Sequence, residues 1–257
     1  MQKKTLLDIQ NLSRSFGGLK AVHNVSFKVN PGIIQAIIGP NGAGKTTLFN
    51  LISGRLSVDS GTVSFKDIPI IGLKPYKIAK LGITCTFQTT KLFQHMTVLE
   101  NVMAGCHIRS RADFFSCILG LPWTWKEERK MRKDSRDLLD RFDLMQYADE
   151  YAESLPFGKQ RLVEFARALA ADPELLLLDE PAAGLNIYET EELSKFILTI
   201  KELGITILIV EHDMSLVMDI SDHIIVLDQG MLLTQGSPTQ VQKNPDVVRV
   251  YLGEEHA

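Results

Sequence analysis

The sequence predicts an α/β fold organised around a mainly parallel sheet, and three features predict it. First, the apolar run Ile33–Ile38 leads directly into a glycine-rich octet, residues 39–46, which is followed by a helix-compatible stretch. Second, apolar strands and helical stretches alternate again from Leu175 onward, the pattern of β-α units that fold into a parallel sheet. Third, the intervening segment from about Thr97 to Ala171 reads as helical, which suggests a helical subdomain inserted into the α/β core.

In chain order, Leu6–Leu12, Val22–Val29 and Ile33–Ile38 read as short strands. A helix is expected from Thr46 to Ile52, then strands at Gly61–Phe65 and Ile83–Phe87. Within the helical block Met131, Leu138, Leu139 and Phe142 recur at helical spacing among many charges, which predicts an amphipathic helix with a solvated face. Leu175–Leu178 is an apolar strand, followed by a helix from about Glu189 to Leu203 and a strand at Ile205–Val210. A further helix precedes the strand His223–Leu227. Gln229-Gly230 then turns the chain into Met231–Gln235, a hairpin.

The chain has 257 residues, enough for one large domain or two modest ones. Its 45% hydrophobic and 23% charged content is ordinary for a globular protein, and a net charge of −3 gives no electrostatic footprint for nucleic acid. Cys85, Cys106 and Cys117 have neither metal-ligand spacing nor an even-numbered disulfide framework, so they are expected to be reduced thiols in a cytosolic protein. No signal peptide is expected at Met1-Gln2-Lys3-Lys4, and the most apolar stretch, Phe114 to Trp125, is too short to span a bilayer. Any membrane role is expected to run through a partner.

The octet reads Gly39-Pro40-Asn41-Gly42-Ala43-Gly44-Lys45-Thr46, with Thr47 as a second hydroxyl. It fits the phosphate-loop pattern Gly-x-x-x-x-Gly-Lys-[Ser/Thr] in the strand–loop–helix context that pattern requires. Gly39, Gly42 and Gly44 let backbone N–H groups converge on phosphate oxygens at a helix N-terminus that already favours anions. Lys45 would neutralise β- and γ-phosphates, and Thr46 would offer its hydroxyl to Mg²⁺. The chain is therefore expected to bind a nucleoside triphosphate. No Asn-Lys-x-Asp guanine reader is present, consistent with adenine.

The run Leu175-Leu176-Leu177-Leu178-Asp179-Glu180 is an apolar strand ending in two carboxylates. Such a strand would deliver Asp179 to Mg²⁺ and leave Glu180 to polarise the water that attacks the γ-phosphate. Gln88 and His212 each follow the carboxyl end of a predicted strand, where open α/β sheets bind ligands. Gln88 could ligate Mg²⁺ or orient water, and His212 could hydrogen-bond the γ-phosphate; by themselves both are ordinary loop residues.

The order of phosphate loop, Gln88, Leu155-Pro156-Phe157-Gly158-Lys159-Gln160-Arg161, the Asp179-Glu180-Pro181 strand end, Ala183–Asn186 and His212 resembles the ATPase subunit of ABC transporters over nearly the whole chain. The resemblance implies the ABC ATPase fold: a P-loop NTPase core, an N-terminal antiparallel β subdomain and a helical subdomain at about 97–171, all in one domain, 1–257. It implies ATP and Mg²⁺ as cofactors, with Phe16 stacking on adenine, although Phe16 could equally belong to the core. It also implies a head-to-tail pair of ATPase chains, in which Gly158 and the signature stretch of one chain complete the site of the other. Asp179–Asn186, Glu211–Met218 and Asn244–Glu254 resemble the larger ATPase subunit of branched-chain amino acid importers, close relatives of which serve urea and short amides. The implied partners are a second, different ATPase chain, two membrane permeases and, indirectly, an extracytoplasmic binding protein, with this chain peripheral on the cytoplasmic face of the inner or plasma membrane. A soluble, non-transport ABC ATPase is the rival reading; such chains usually carry two ATPase halves, long coiled coils or basic arms, none of which is seen here.

Two positions depart from the family pattern. Pro156-Phe157 replaces Ser-Gly, removing the serine hydroxyl that would reach the γ-phosphate across the dimer, while Gly158 still offers its N–H. Asn186 replaces an aspartate, keeping a hydrogen-bonding side chain without its charge. Between Arg109 and Arg129 lie Phe114, Phe115, Ile118, Trp123 and Trp125, read either as a permease-docking surface or as a small core. A core is favoured for most of them because exposed aromatic clusters are uncommon.

Overall fold

The computed structural model describes residues 5–86, 91–109 and 122–252. Gln88, Phe114, Phe115, Cys117, Ile118, Gly253 and Glu254 lie outside the described residues, as does the side chain of Trp123. The first half runs β1 (Leu7–Phe16), β2 (Leu19–Val29), β3 (Ile34–Ile38), α1 (Lys45–Ile52), β4 (Ser60–Phe65), β5 (Ile68–Pro69), α2 (Pro75–Lys80) and β6 (Ile83–Cys85). Helices α3 (Val98–Cys106), α4 (Pro122–Arg141) and α5 (Phe157–Leu169) follow, with short 3₁₀ turns at Met145–Tyr147 and Ala152–Ser154. The chain then alternates through β7 (Leu175–Asp179), α6 (Ile187–Glu202), β8 (Thr206–Val210), α7 (Met214–Ile220), β9 (His223–Asp228) and β10 (Met231–Gly236), and ends with α8 (Pro238–Gln242) and α9 (Pro245–Leu252).

These strands form two sheets. One is antiparallel, in the order β2-β1-β4-β5; the other has the order β10-β9-β3-β8-β7-β6 and is parallel except for the β9–β10 hairpin. Its central strands β3, β7 and β8 are buried at every position because both faces are covered, and they are apolar apart from Gln35, Thr206 and the terminal Asp179. Ile34, Ala36 and Ile38 of β3, with Leu176 and Leu178 of β7, face a core shared with α3, α5 and α6. Ile37, Leu175 and Leu177 face the opposite core, which holds α1 and the antiparallel sheet. Helices α3, α4 and α5 thus pack into the same core as one face of the sheet.

β1 runs four residues past its predicted end at Leu12. Register shifts between Ile9 and Ser15, and a left-handed Asn11 (φ 50°), interrupt the in–out alternation that marks a strand in sequence. The extension leaves Phe16 at the strand end and 44% exposed, which removes the core reading of that residue. Trp125 is 61% exposed on α4, so this aromatic is not packed into a core. Among the described residues no helix is long and apolar enough to cross a membrane.

Candidate active site

The loop between β3 and α1 bends sharply because two glycines admit close backbone contacts. A Cβ on Gly39 would lie 2.2 Å from the Leu227 carbonyl oxygen, and one on Gly44 (φ 96°) 2.2 Å from that of Ala21. Gly44 caps α1 without any side-chain hydrogen bond, and the first turn has no acidic residue. The helix therefore presents its N-terminal N–H groups and positive dipole end to an anion. Lys45 is only 7% exposed, and its Nζ donates to the carbonyls of Gly39 at 2.6 Å and Pro40 at 2.9 Å. Its ammonium is held against the loop that would receive phosphate.

A cleft of about 750 Å³ opens over this loop. Asn41, Gly42, Ala43, Gly44, Lys45, Thr46 and Thr47 line it, with Phe16 and Glu180. The structure thus brings Glu180, the residue just past the end of β7, into one cavity with the loop, while Asp179 is not among the residues that line it. Among the further lining residues, Leu19 and Lys20 had no sequence signal of their own, and Gln229 was marked only as a hairpin turn. Gln229 (φ 45°) sits at the β9–β10 turn, where the Gly230 N–H donates to the Ala43 carbonyl at 3.2 Å. That contact brings a distant hairpin onto the loop.

Asp179 closes β7, and Glu180 follows in a left-handed conformation (φ 46°), with its N–H donating to the Val210 carbonyl at 2.9 Å. A non-glycine residue held there is strained. The turn is clamped by Arg161, whose guanidinium reaches the Glu180 and Pro181 carbonyls. Asp179 is 8% exposed, and its Oδ1 is buried without a hydrogen-bond partner. Burial, then the neighbouring Glu180 charge, pushes its carboxyl above the usual carboxylate range, while Arg55 and Arg161 pull the other way. An under-satisfied carboxylate oxygen is the donor that a hard cation such as Mg²⁺ takes, so Asp179, with the Thr46 hydroxyl, fits that ion.

His212 lies two residues past β8, at the same sheet edge, but it does not line the cleft; its side chain is 62% exposed. Gly158 is also outside the cleft, on the first turn of α5, where a Cβ would come 2.5 Å from Glu189 Oε1. The start of α5 is tied to the start of α6: Lys159 pairs with Glu192, and the Phe157 ring stands over Gly184. Asn186 caps α6 in a reciprocal box, accepting from the Glu189 N–H at 3.1 Å while Glu189 accepts from the Asn186 N–H at 2.9 Å. A neutral amide suffices for that bond.

Comparison with known proteins agrees with this geometry. Residues 22–183 match the family described as ABC transporter, and residues 232–257 match the branched-chain amino acid ATP-binding cassette transporter family. The chain is 43% identical over 250 residues to the high-affinity branched-chain amino acid transport ATP-binding protein LivG of Escherichia coli (strain K12), covering 97% of this chain and 98% of that protein. It superposes with a TM-score of 0.85 on the crystal structure of the ADP conformation of MJ1267, an ATP-binding cassette of an ABC transporter. That pair is 35% identical and covers 97% and 99% of the two chains. A dimeric bacterial ABC transporter cassette, MJ0796, superposes at 0.76 with 25% identity, over 91% of this chain and 99% of that one.

Proposed function

Because this chain belongs to the ABC transporter family of ATP-binding subunits, we propose that it is the ATP-hydrolysing subunit that powers an importer of branched-chain amino acids. The observation that carries the proposal is the single cleft in which the phosphate loop faces Glu180, in a chain whose likeness to LivG runs from end to end. Adenine would stack on Phe16, and the phosphates would lie on residues 39–47, drawing Lys45 from the Gly39 and Pro40 carbonyls. Thr46, Asp179 and Gln88 would hold Mg²⁺, which when bound offsets phosphate charge. A water oxygen attacks the γ-phosphorus, the bond to the β–γ bridging oxygen breaks, and Glu180 accepts the water proton. His212 would reach the γ-phosphate by a movement of its loop.

The chain would work in a head-to-tail pair with a second ATPase chain, in this transporter group a different one, whose nucleotide site it completes through Gly158. Support comes from the apolar side chains around the Gly184–Asn186 turn: Phe157, Ile187 and Tyr188 are 46%, 78% and 83% exposed. The two ATP sites would then be unequal, because the one served by Pro156-Phe157 lacks a serine hydroxyl. Two permeases would bind the helical subdomain, with the extracytoplasmic binding protein engaged through them and no nucleic acid involved. A groove of about 370 Å³ between β6, α3 and α5, carrying Phe93, Lys91 and Arg167, offers such a surface. The chain would then be peripheral on the cytoplasmic face of the inner or plasma membrane.

Uptake of labelled leucine, isoleucine and valine in cells carrying Lys45→Ala, with redundant transporters deleted, tests the reading. All three rates should fall to background. Unchanged uptake of all three would overturn the cargo, leaving urea and short amides as the next substrates to assay.

A further inference from the structure

The side chain of Glu211 is completely buried between the two loops that carry the candidate hydrolytic groups. Its Oε1 accepts the Ala182 N–H at 2.7 Å, in the turn that begins at Glu180. Its Oε2 accepts the N–H groups of His212 at 3.0 Å and Asp213 at 3.3 Å, and lies 3.8 Å from His212 Nδ1. We propose that Glu211 is a positioning residue that sets Glu180 and His212 relative to one another through one shared carboxylate.

Three features of the geometry carry this. An ionised carboxylate accepts on both oxygens, so it satisfies N–H donors on two sides at once. Glutamine would turn an amide NH₂ toward one of the two donor sets and lose that side. Three backbone N–H bonds fix the buried carboxylate in place. Finally, β7 and β8 are adjacent, with Asp179 opposite Val210, so the Glu211 link crosses between neighbouring strand ends, beside the bond from the Glu180 N–H to the Val210 carbonyl. Movement of the His212 loop toward a nucleotide is thereby felt by the Glu180 turn.

The inference rests on the reading of Glu180 and His212 as hydrolytic groups, and the test separates the two claims. ATP hydrolysis is measured on the assembled transporter carrying Glu211→Gln, Glu211→Asp, His212→Ala, Glu180→Gln or the Glu211→Gln/His212→Ala pair. Glu211→Gln should lower kcat by about 10- to 100-fold, the scale of a misplaced catalytic group, with KM for ATP changed less than about twofold. Glu211→Asp, one methylene short of spanning both loops, should lower kcat in the same way and keeps the test open if the glutamine variant does not fold. The double variant should lose less than the product of the single losses, because the two residues act through one contact. Impaired Glu180→Gln and His212→Ala beside wild-type kcat in both Glu211 variants, or strictly multiplicative losses, would overturn this inference alone. Wild-type turnover in Glu180→Gln would overturn the site reading and this inference with it.

Discussion

Arg161 Nε donates to the Pro181 carbonyl at 3.1 Å, tying α5, the helix of the signature stretch, to the turn that bears Glu180. Its Nη2 reaches the Glu180 carbonyl at 3.2 Å, and its Nη1 pairs with Glu164 at 3.2 Å. Both members of the ion pair are about 1% exposed. The planar fork lets one residue serve carbonyl and carboxylate acceptors together, and that geometry is what keeps the strained turn in place.

Arg161→Met should therefore destabilise the chain strongly. Removing one partner of a buried ion pair leaves an uncompensated charge and typically costs about 3–5 kcal/mol. In a domain of this size that corresponds to a Tm roughly 6–20 °C lower. Arg161→Lys, which restores the charge without the fork, should recover only part of the loss. Thermal unfolding followed by circular dichroism checks both, and an unchanged Tm for Arg161→Met would remove the clamp from the account.

Asp179 is expected to trade stability for function. Its carboxyl titrates above the ordinary range, so in the nucleotide-free chain it binds a proton more tightly when folded than when unfolded. Its favourable contribution is complete below the ordinary aspartate pKa and is lost as pH rises through the raised folded value. At neutral pH the ionised group is a net cost, one that Asp179→Asn removes. The variant should melt at a higher temperature than the parent at pH 7, with the gap closing as pH falls, while hydrolysis is lost. Parallel Tm–pH curves for the two proteins would contradict this.

Much of the site was legible in sequence because its parts are local. The glycine spacing of 39–46, the apolar run ending at Asp179 and the alternating elements after Leu175 each encode their own geometry. What escaped was assembled by tertiary contact. The local pattern marks Gln229-Gly230 as a turn but not as part of the cleft, which Gln229 joins where Gly230 hydrogen-bonds the loop at Ala43. Arg161 and Glu211 lie within stretches that carry the family resemblance, but without a role of their own; their roles appear only when burial and partners are known. The strand end at Phe16 was hidden by the bulges of β1, whose register shifts blur the period of two. The short elements α2 and α8 were missed too: with six and five residues, they have little room for periodicity to accumulate.

The central claim is that the Glu180 carboxylate accepts the proton of the attacking water, and ATP turnover by Glu180→Gln tests it most directly. The amide keeps the shape of the side chain but cannot act as a base. Hydrolysis should fall by about 10²–10⁴-fold, the usual contribution of a general base. ATP binding should be retained, and an ATP-bound dimer should accumulate, since the substitution also removes negative charge beside the phosphates. Hydrolysis at the wild-type rate in that variant would contradict the account.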